Sequence, residues 1–158
     1  MLADRLTAAE IMNQPPITIQ QDAELMDIAQ KMADHGVSGL VVVDDEGRAV
    51  GVVSDSDLLH KVAHTHLPPH VQLLGGVFFL EMPHRFRQLM SKLKGFRARD
   101  LMNAPALSVA PEATAREIAD VMQEKGVRRV VVLAEEKPIG VVTRRDIVRT
   151  CLARPAEA

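Results

Sequence analysis

A hydroxyl followed three residues later by a carboxylate occurs twice, each time behind the same apolar lead: Gly51-Val52-Val53-Ser54-Asp55-Ser56-Asp57 and Gly140-Val141-Val142-Thr143-Arg144-Arg145-Asp146. An ionised aspartate only accepts hydrogen bonds, so one carboxylate can take both hydroxyls of a ribose. A Ser or Thr hydroxyl beside a helix amino-terminus favours a phosphate. Together they outline a grip for a ribonucleotide. A plainer reading competes, in which Ser54 and Thr143 cap helices and Asp57 and Asp146 are first-turn partners of the helix dipole. Recurrence at matched positions of a duplicated strand–helix junction favours the binding reading.

The junctions belong to an internal repeat. Ile11-Met12-Asn13 returns as Leu101-Met102-Asn103, an offset of 90 that also carries Ile17-Thr18-Ile19 onto Leu107-Ser108-Val109, Met32 onto Met122 and Gly36-Val37 onto Gly126-Val127. One deletion in the acidic turn after Val43 makes the offset 89, which aligns the two hydroxyl–acid motifs. In each copy a short strand precedes apolar residues at helical spacing, Leu25, Ile28, Ala29 and Met32 in the first, and a glycine, Gly36, can end that helix. The second copy starts its helix with a Thr114-x-x-Glu117 capping box. Leu40 to Val43 is a continuous apolar run, suited to a strand buried on both faces. The order is strand, helix, strand, strand, helix, behind a short leading helix around Ala8 to Met12. The fold class is α/β (α+β): two β-α-β-β-α units, at 6–62 and 97–152, related by a pseudo-twofold axis and packed sheet to sheet, with a helical insert at 63–96. A unit this small buries little surface alone, which is why two copies are expected to pack together.

Bulk composition narrows the function classes. A net charge of -2 argues against a generally basic nucleic-acid binder, and the absence of Trp and Tyr, with four Phe, argues against base stacking as the main theme. The single cysteine, Cys151, permits neither an internal disulfide nor a multi-cysteine metal site and fits a cytoplasmic setting. Asp4 and Arg5 interrupt the first residues where a signal peptide would be apolar, and no apolar run approaches the roughly 20 residues of a membrane span.

The combination of Gly36-Val37-Ser38-Gly39-Leu40-Val41-Val42-Val43-Asp44 with Gly140-Val141-Val142-Thr143-x-x-Asp146 resembles the CBS-domain family, named after cystathionine beta-synthase and found paired in inosine monophosphate dehydrogenase, chloride channels and the gamma subunit of AMP-activated kinase. The resemblance implies a pair of domains (a Bateman module) whose two clefts bind AMP, ADP, ATP or another adenosyl compound as a regulatory ligand. It implies no catalytic residues and no cofactor. Carried over by residue, one cleft joins Thr18, Ala23, Val37 and Ser38 to Val141, Thr143, Arg145 and Asp146, with Arg128 and Arg129 reaching the phosphates. A second, weaker cleft joins Ser108, Ala113, Val127 and Arg128 to Val52, Ser54, Ser56 and Asp57. Arg128, Arg129, Arg144 and Arg145 stand where the first copy has Ser38, Gly39, Asp55 and Ser56, so the Asp146 cleft is expected to hold a polyphosphate better. The family also implies a homodimer, and a ligand-driven change of shape is expected to be sensed by a separate partner or by the second subunit.

Other signals lie in and near the insert. His60, His64, His66, His70 and His84 could bind a metal, although no cysteine or fixed carboxylate accompanies them and a solvated loop is the alternative. Phe86, Leu89, Met90 and Leu93 share one helical face behind Pro83, and Arg85, Arg87, Lys92, Lys94, Arg97 and Arg99 make that region basic. Nucleic-acid contact is the lesser reading of those charges, a wet helix face the other. Phe78, Phe79 and Leu80 are a candidate contact between subunits, with burial under the insert itself the alternative. No Gly-rich phosphate loop or nucleophile elbow supports an enzyme.

Overall fold

The computed structural model describes residues 2–63 and 95–152. These described residues fall into two compact units, the first within 17–46 and 50–105, the second within 1–16, 47–49 and 106–158.

In the first unit, β1 (Thr18–Gln20), α2 (Leu25–His35), β2 (Gly39–Val43), β3 (Ala49–Ser54) and α3 (Asp55–Ala63) follow one another in the expected order. The sheet order is β1-β2-β3, and β1 runs parallel to β2 with Thr18 opposite Val41 and Gln20 opposite Val43. A parallel neighbour requires a crossover, and α2 supplies it. Leu40, Val41, Val42 and Val43 are all buried, so this strand is covered on both faces, as its unbroken apolar run requires. Leu25, Ile28, Ala29 and Met32 form the buried stripe of α2, and Gly36 ends that helix in the left-handed conformation at φ 61°.

The second unit repeats this plan with β4 (Ser108–Val109), α5 (Ala115–Lys125), β5 (Arg129–Ala134), β6 (Lys137–Thr143) and α6 (Arg144–Leu152). Here β4 is parallel to β5 and β5 antiparallel to β6, with a register shift between Val132 and Leu133. The predicted capping box is present: Thr114 Oγ1 accepts from Glu117 N at 3.3 Å, and Glu117 Oε2 accepts from Thr114 N at 2.7 Å. That hydrogen bond from the backbone lowers the Glu117 carboxyl below the usual range, as the bond from Thr7 N does for Glu10 in a matching box. The missing residue in the β5–β6 turn leaves a two-residue hairpin in which Glu135 and Glu136 both take positive φ, 50° and 66°.

The leading segments dock in an order the repeat did not disclose. Residues preceding the first copy complete the second unit: Ala8 N donates to Ala113 O at 2.7 Å, and Asn13 exchanges backbone bonds with Val141 at 2.9 and 3.1 Å. Residues preceding the second copy complete the first unit by matching bonds, Ala98 N to Ala23 O at 2.9 Å and a reciprocal pair between Asn103 and Val52 at 2.9 and 3.1 Å. The helices concerned, α1 (Ala8–Ile11) and α4 (Ala98–Leu101), bury Ala8 and Ala98 fully. Each unit therefore gathers residues that are far apart in sequence around one core.

Candidate functional site

The end of β6 and the start of α6 form the junction in the second unit. Thr143 occupies the N-cap position and Asp146 the third helical residue, the spacing at which a carboxylate reaches back to the cap. Asp146 Oδ2 accepts from Thr143 N at 2.8 Å, Thr143 Oγ1 at 2.6 Å and Asn13 Nδ2 at 2.7 Å. Its Oδ1 accepts from Arg149 Nη2 at 3.2 Å. The acid is only 4% exposed, and among the described residues the buried polar ones are Asp146 and its neighbour Thr150, whose hydroxyl donates to Asp146 O at 2.8 Å. A buried carboxylate is stable only when several donors satisfy it, and these four do so.

Arginines surround this junction. Arg129 pairs with Thr143 across β5 and β6, and Arg144 N donates to Arg128 O at 3.0 Å, which ties the start of β5 to the start of α6. Arg144 Nε also donates to Val127 O at 3.3 Å, while Arg128, Arg144, Arg145 and Arg149 are exposed. An amino-terminal helix turn with this many guanidinium groups is electrostatically suited to an anion.

The first unit builds the same junction with less charge. Ser54 caps α3, and Asp57 Oδ2 accepts from Ser54 N at 2.7 Å and Ser54 Oγ at 2.9 Å. Asp57 Oδ1 accepts from Asn103 Nδ2 at 3.0 Å. Asp55 N donates to Ser38 O at 3.0 Å, the counterpart of the Arg144–Arg128 bond. Ser38, Gly39, Asp55, Ser56 and His60 stand where the second unit has five arginines.

The structure thus brings Val141, Thr143, Arg145, Asp146, Arg128 and Arg129 to one end of the second unit's sheet, and Ser38, Val52, Ser54, Ser56 and Asp57 to one end of the first. Ser108, Ala113 and Val127 also belong to the second unit; Thr18, Ala23 and Val37 belong to the first. The capping reading of the hydroxyl–acid motif holds in both units. The acids do cap helices, and the Thr143 and Ser54 hydroxyls point their protons at those acids. Sequence reasoning missed Asn13 and Asn103, although the repeated Met-Asn dipeptide was the available signal.

His64, His66, His70, His84, Pro83, Phe86, Leu89, Met90, Leu93, Arg85, Arg87, Lys92, Lys94, Phe78, Phe79 and Leu80 lie outside the described residues, as does the side chain of Cys151. Among the described residues no group of three or more His, Cys, Asp or Glu is placed to hold a metal, and no helix is long and apolar enough to cross a membrane.

These features define a class. The CBS-domain family matches the chain twice, over residues 8–64 and 98–153, and the chain belongs to that family as a tandem pair. An uncharacterised Methanocaldococcus jannaschii protein, MJ1404, is 35% identical over 140 residues, which cover 89% of this chain and 30% of that relative's length. The crystal structure of CBSX2 in complex with AMP is similar at a TM-score of 0.67 and 28% identity, covering 92% of this chain and 96% of that one; CBSX2 is a protein of Arabidopsis thaliana. The structure of Hypoxic Response Protein I with two coordinated zinc ions gives a TM-score of 0.65 at 27% identity, covering 91% and 98% of the two chains. A Mycobacterium tuberculosis relative carries the name hypoxic response protein 1.

Proposed function

We propose that this chain is a regulatory, non-catalytic module that binds an adenine nucleotide through its duplicated strand–helix junctions and transmits occupancy to a partner as a change of shape. The observation that carries the reading is the Asp146 junction: a buried carboxylate at a helix start, its Oδ2 held by the Thr143 cap and its Oδ1 met by an exposed arginine, set among Arg128, Arg129, Arg144, Arg145 and Arg149. Ribose is recognised by the acid and phosphate by the guanidinium forks. The AMP complex of CBSX2 supports the choice of an adenine nucleotide. The two groups of residues named in the sequence analysis are the binding residues of this proposal, the group with Asp146 being the tighter for polyphosphates.

Ligand shifts a conformational equilibrium only by binding its two states unequally. The regulated element is a separate protein or a second copy of the chain in a homodimer, in a cytoplasmic setting. A thermal-shift panel of AMP, ADP, ATP, S-adenosylmethionine, zinc and a short oligonucleotide tests the reading, because a ligand of the native state raises the melting temperature. Adenine nucleotides should raise it; a response to zinc alone would transfer the function to the histidine-rich insert, a reading supported by the zinc-bound Hypoxic Response Protein I. A response confined to the oligonucleotide, steep in salt, would transfer it to the basic segment.

A further inference from the structure

Equivalent acids in the two units are held by equivalent asparagines, but through opposite oxygens. Asn13 donates to Asp146 Oδ2, the oxygen already held by Thr143, at 2.7 Å. Asn103 donates instead to Asp57 Oδ1 at 3.0 Å, while Ser54 holds Oδ2.

Each Oδ1 therefore has one donor, and the two donors differ in how readily they give way. Asp146 Oδ1 has a single donor, the Arg149 guanidinium at 3.2 Å, and that side chain is 72% exposed. An ion pair with so exposed a partner is weak, so a ribose hydroxyl can take its place and leave the arginine for a phosphate. Asp57 Oδ1 faces a carboxamide whose own backbone is fixed by the reciprocal Asn103–Val52 pair. Displacing a donor anchored in that way costs a hydrogen bond to a charged group with nothing gained nearby. His60, the counterpart of Arg149, also lacks the guanidinium fork.

We infer that Asn13 and Asn103 are positioning residues that make the two acids unequal: Asn13 secures Asp146 by the inner oxygen and leaves Oδ1 for a ribose, whereas Asn103 occupies the corresponding oxygen of Asp57. The inference rests on the adenine-nucleotide reading and adds which acid accepts the sugar and which residue decides it.

Titration calorimetry of AMP into the full chain tests it, since a monophosphate keeps the contribution of the arginines small. The wild type should bind one AMP per chain tightly. Asn103→Ala should tighten or create a second event by about tenfold, the effect of one such hydrogen bond. Asn103→Ser, which keeps a polar side chain too short to reach the acid, should do the same and guards against a misfolded alanine variant. Adding Asp57→Asn to either should abolish the gained event alone, and Asn13→Ala should weaken the first event. A merely structural asparagine would lower affinity on removal and never raise it. Two equal AMP events in the wild type, or an Asn103→Ala isotherm identical to wild type, would overturn the inference while leaving nucleotide binding intact. No binding by the folded wild type to AMP, ADP or ATP would overturn the underlying reading as well.

Discussion

Met12 lies so close against Gly140 that a β-carbon added to the glycine would overlap the methionine sulfur and stand 2.7 Å from its Cγ. Gly51 repeats the relationship with Met102, at 2.6 Å from the sulfur and 2.9 Å from the Asn103 carbonyl oxygen. These contacts let the leading segments reach the strands that end in the two acids. Gly140→Ala and Gly51→Ala should each lower stability by about 1–3 kcal/mol in urea unfolding, as overpacking does. Met12→Ala should recover part of the loss at Gly140. Met102→Ala should recover less at Gly51, because the carbonyl oxygen stays. Alanine variants as stable as wild type would mean that the close approach is not required.

Acid should loosen both capping boxes. Glu10 and Glu117 are held below the usual carboxylate range by the backbone N–H groups of Thr7 and Thr114, and Asp4 is lowered to about 2 by the Arg116 guanidinium. A carboxyl lowered in the folded state contributes stability that is present above its unfolded value, 4.5 for glutamate, and is lost as pH falls through its folded value. Melting temperature followed from about pH 6 to about pH 2 should therefore fall, and Glu10→Gln with Glu117→Gln should flatten the upper part of that fall. Parallel curves for the variant and the wild type would contradict the assignment.

The β5–β6 hairpin places glutamates at two positions where glycine and asparagine are favoured, with φ of 50° at Glu135 and 66° at Glu136. Replacing the pair by Asn-Gly should stabilise the protein by about 1 kcal/mol, since the side-chain penalty for positive φ disappears. The backbone bond from Ala49 N to Glu136 O, 3.1 Å, is kept by any residue there. A lower melting temperature for the double variant would show that the glutamate side chains contribute more than the turn loses.

Local rules carried much of the architecture. The Thr114–Glu117 box, the glycine that ends each long helix and the buried valine strands all follow from neighbours a few residues apart. The hydroxyl–acid junctions were legible for the same reason, being a strand end and a first helical turn. Docking of the leading segments was not, because Ala8 meets Ala113 from the far end of the chain and a buried alanine carries no pattern of its own. Which carboxylate oxygen Asn13 or Asn103 selects depends on a side-chain rotation that no spacing encodes. The burial of Asp146 was equally hidden, since a lone aspartate in a basic, polar run reads as exposed.

The most direct measurement is calorimetric titration of ATP into Asp146→Asn beside Asp57→Asn, with circular dichroism to confirm that both remain folded. Exchanging the Asp146 carboxylate for an amide keeps one oxygen for the Thr143 cap but removes the charge that would grip a ribose. Affinity should fall by about tenfold or more, about 1.4 kcal/mol, in Asp146→Asn and change little in Asp57→Asn. ATP binding unchanged by Asp146→Asn would contradict the site.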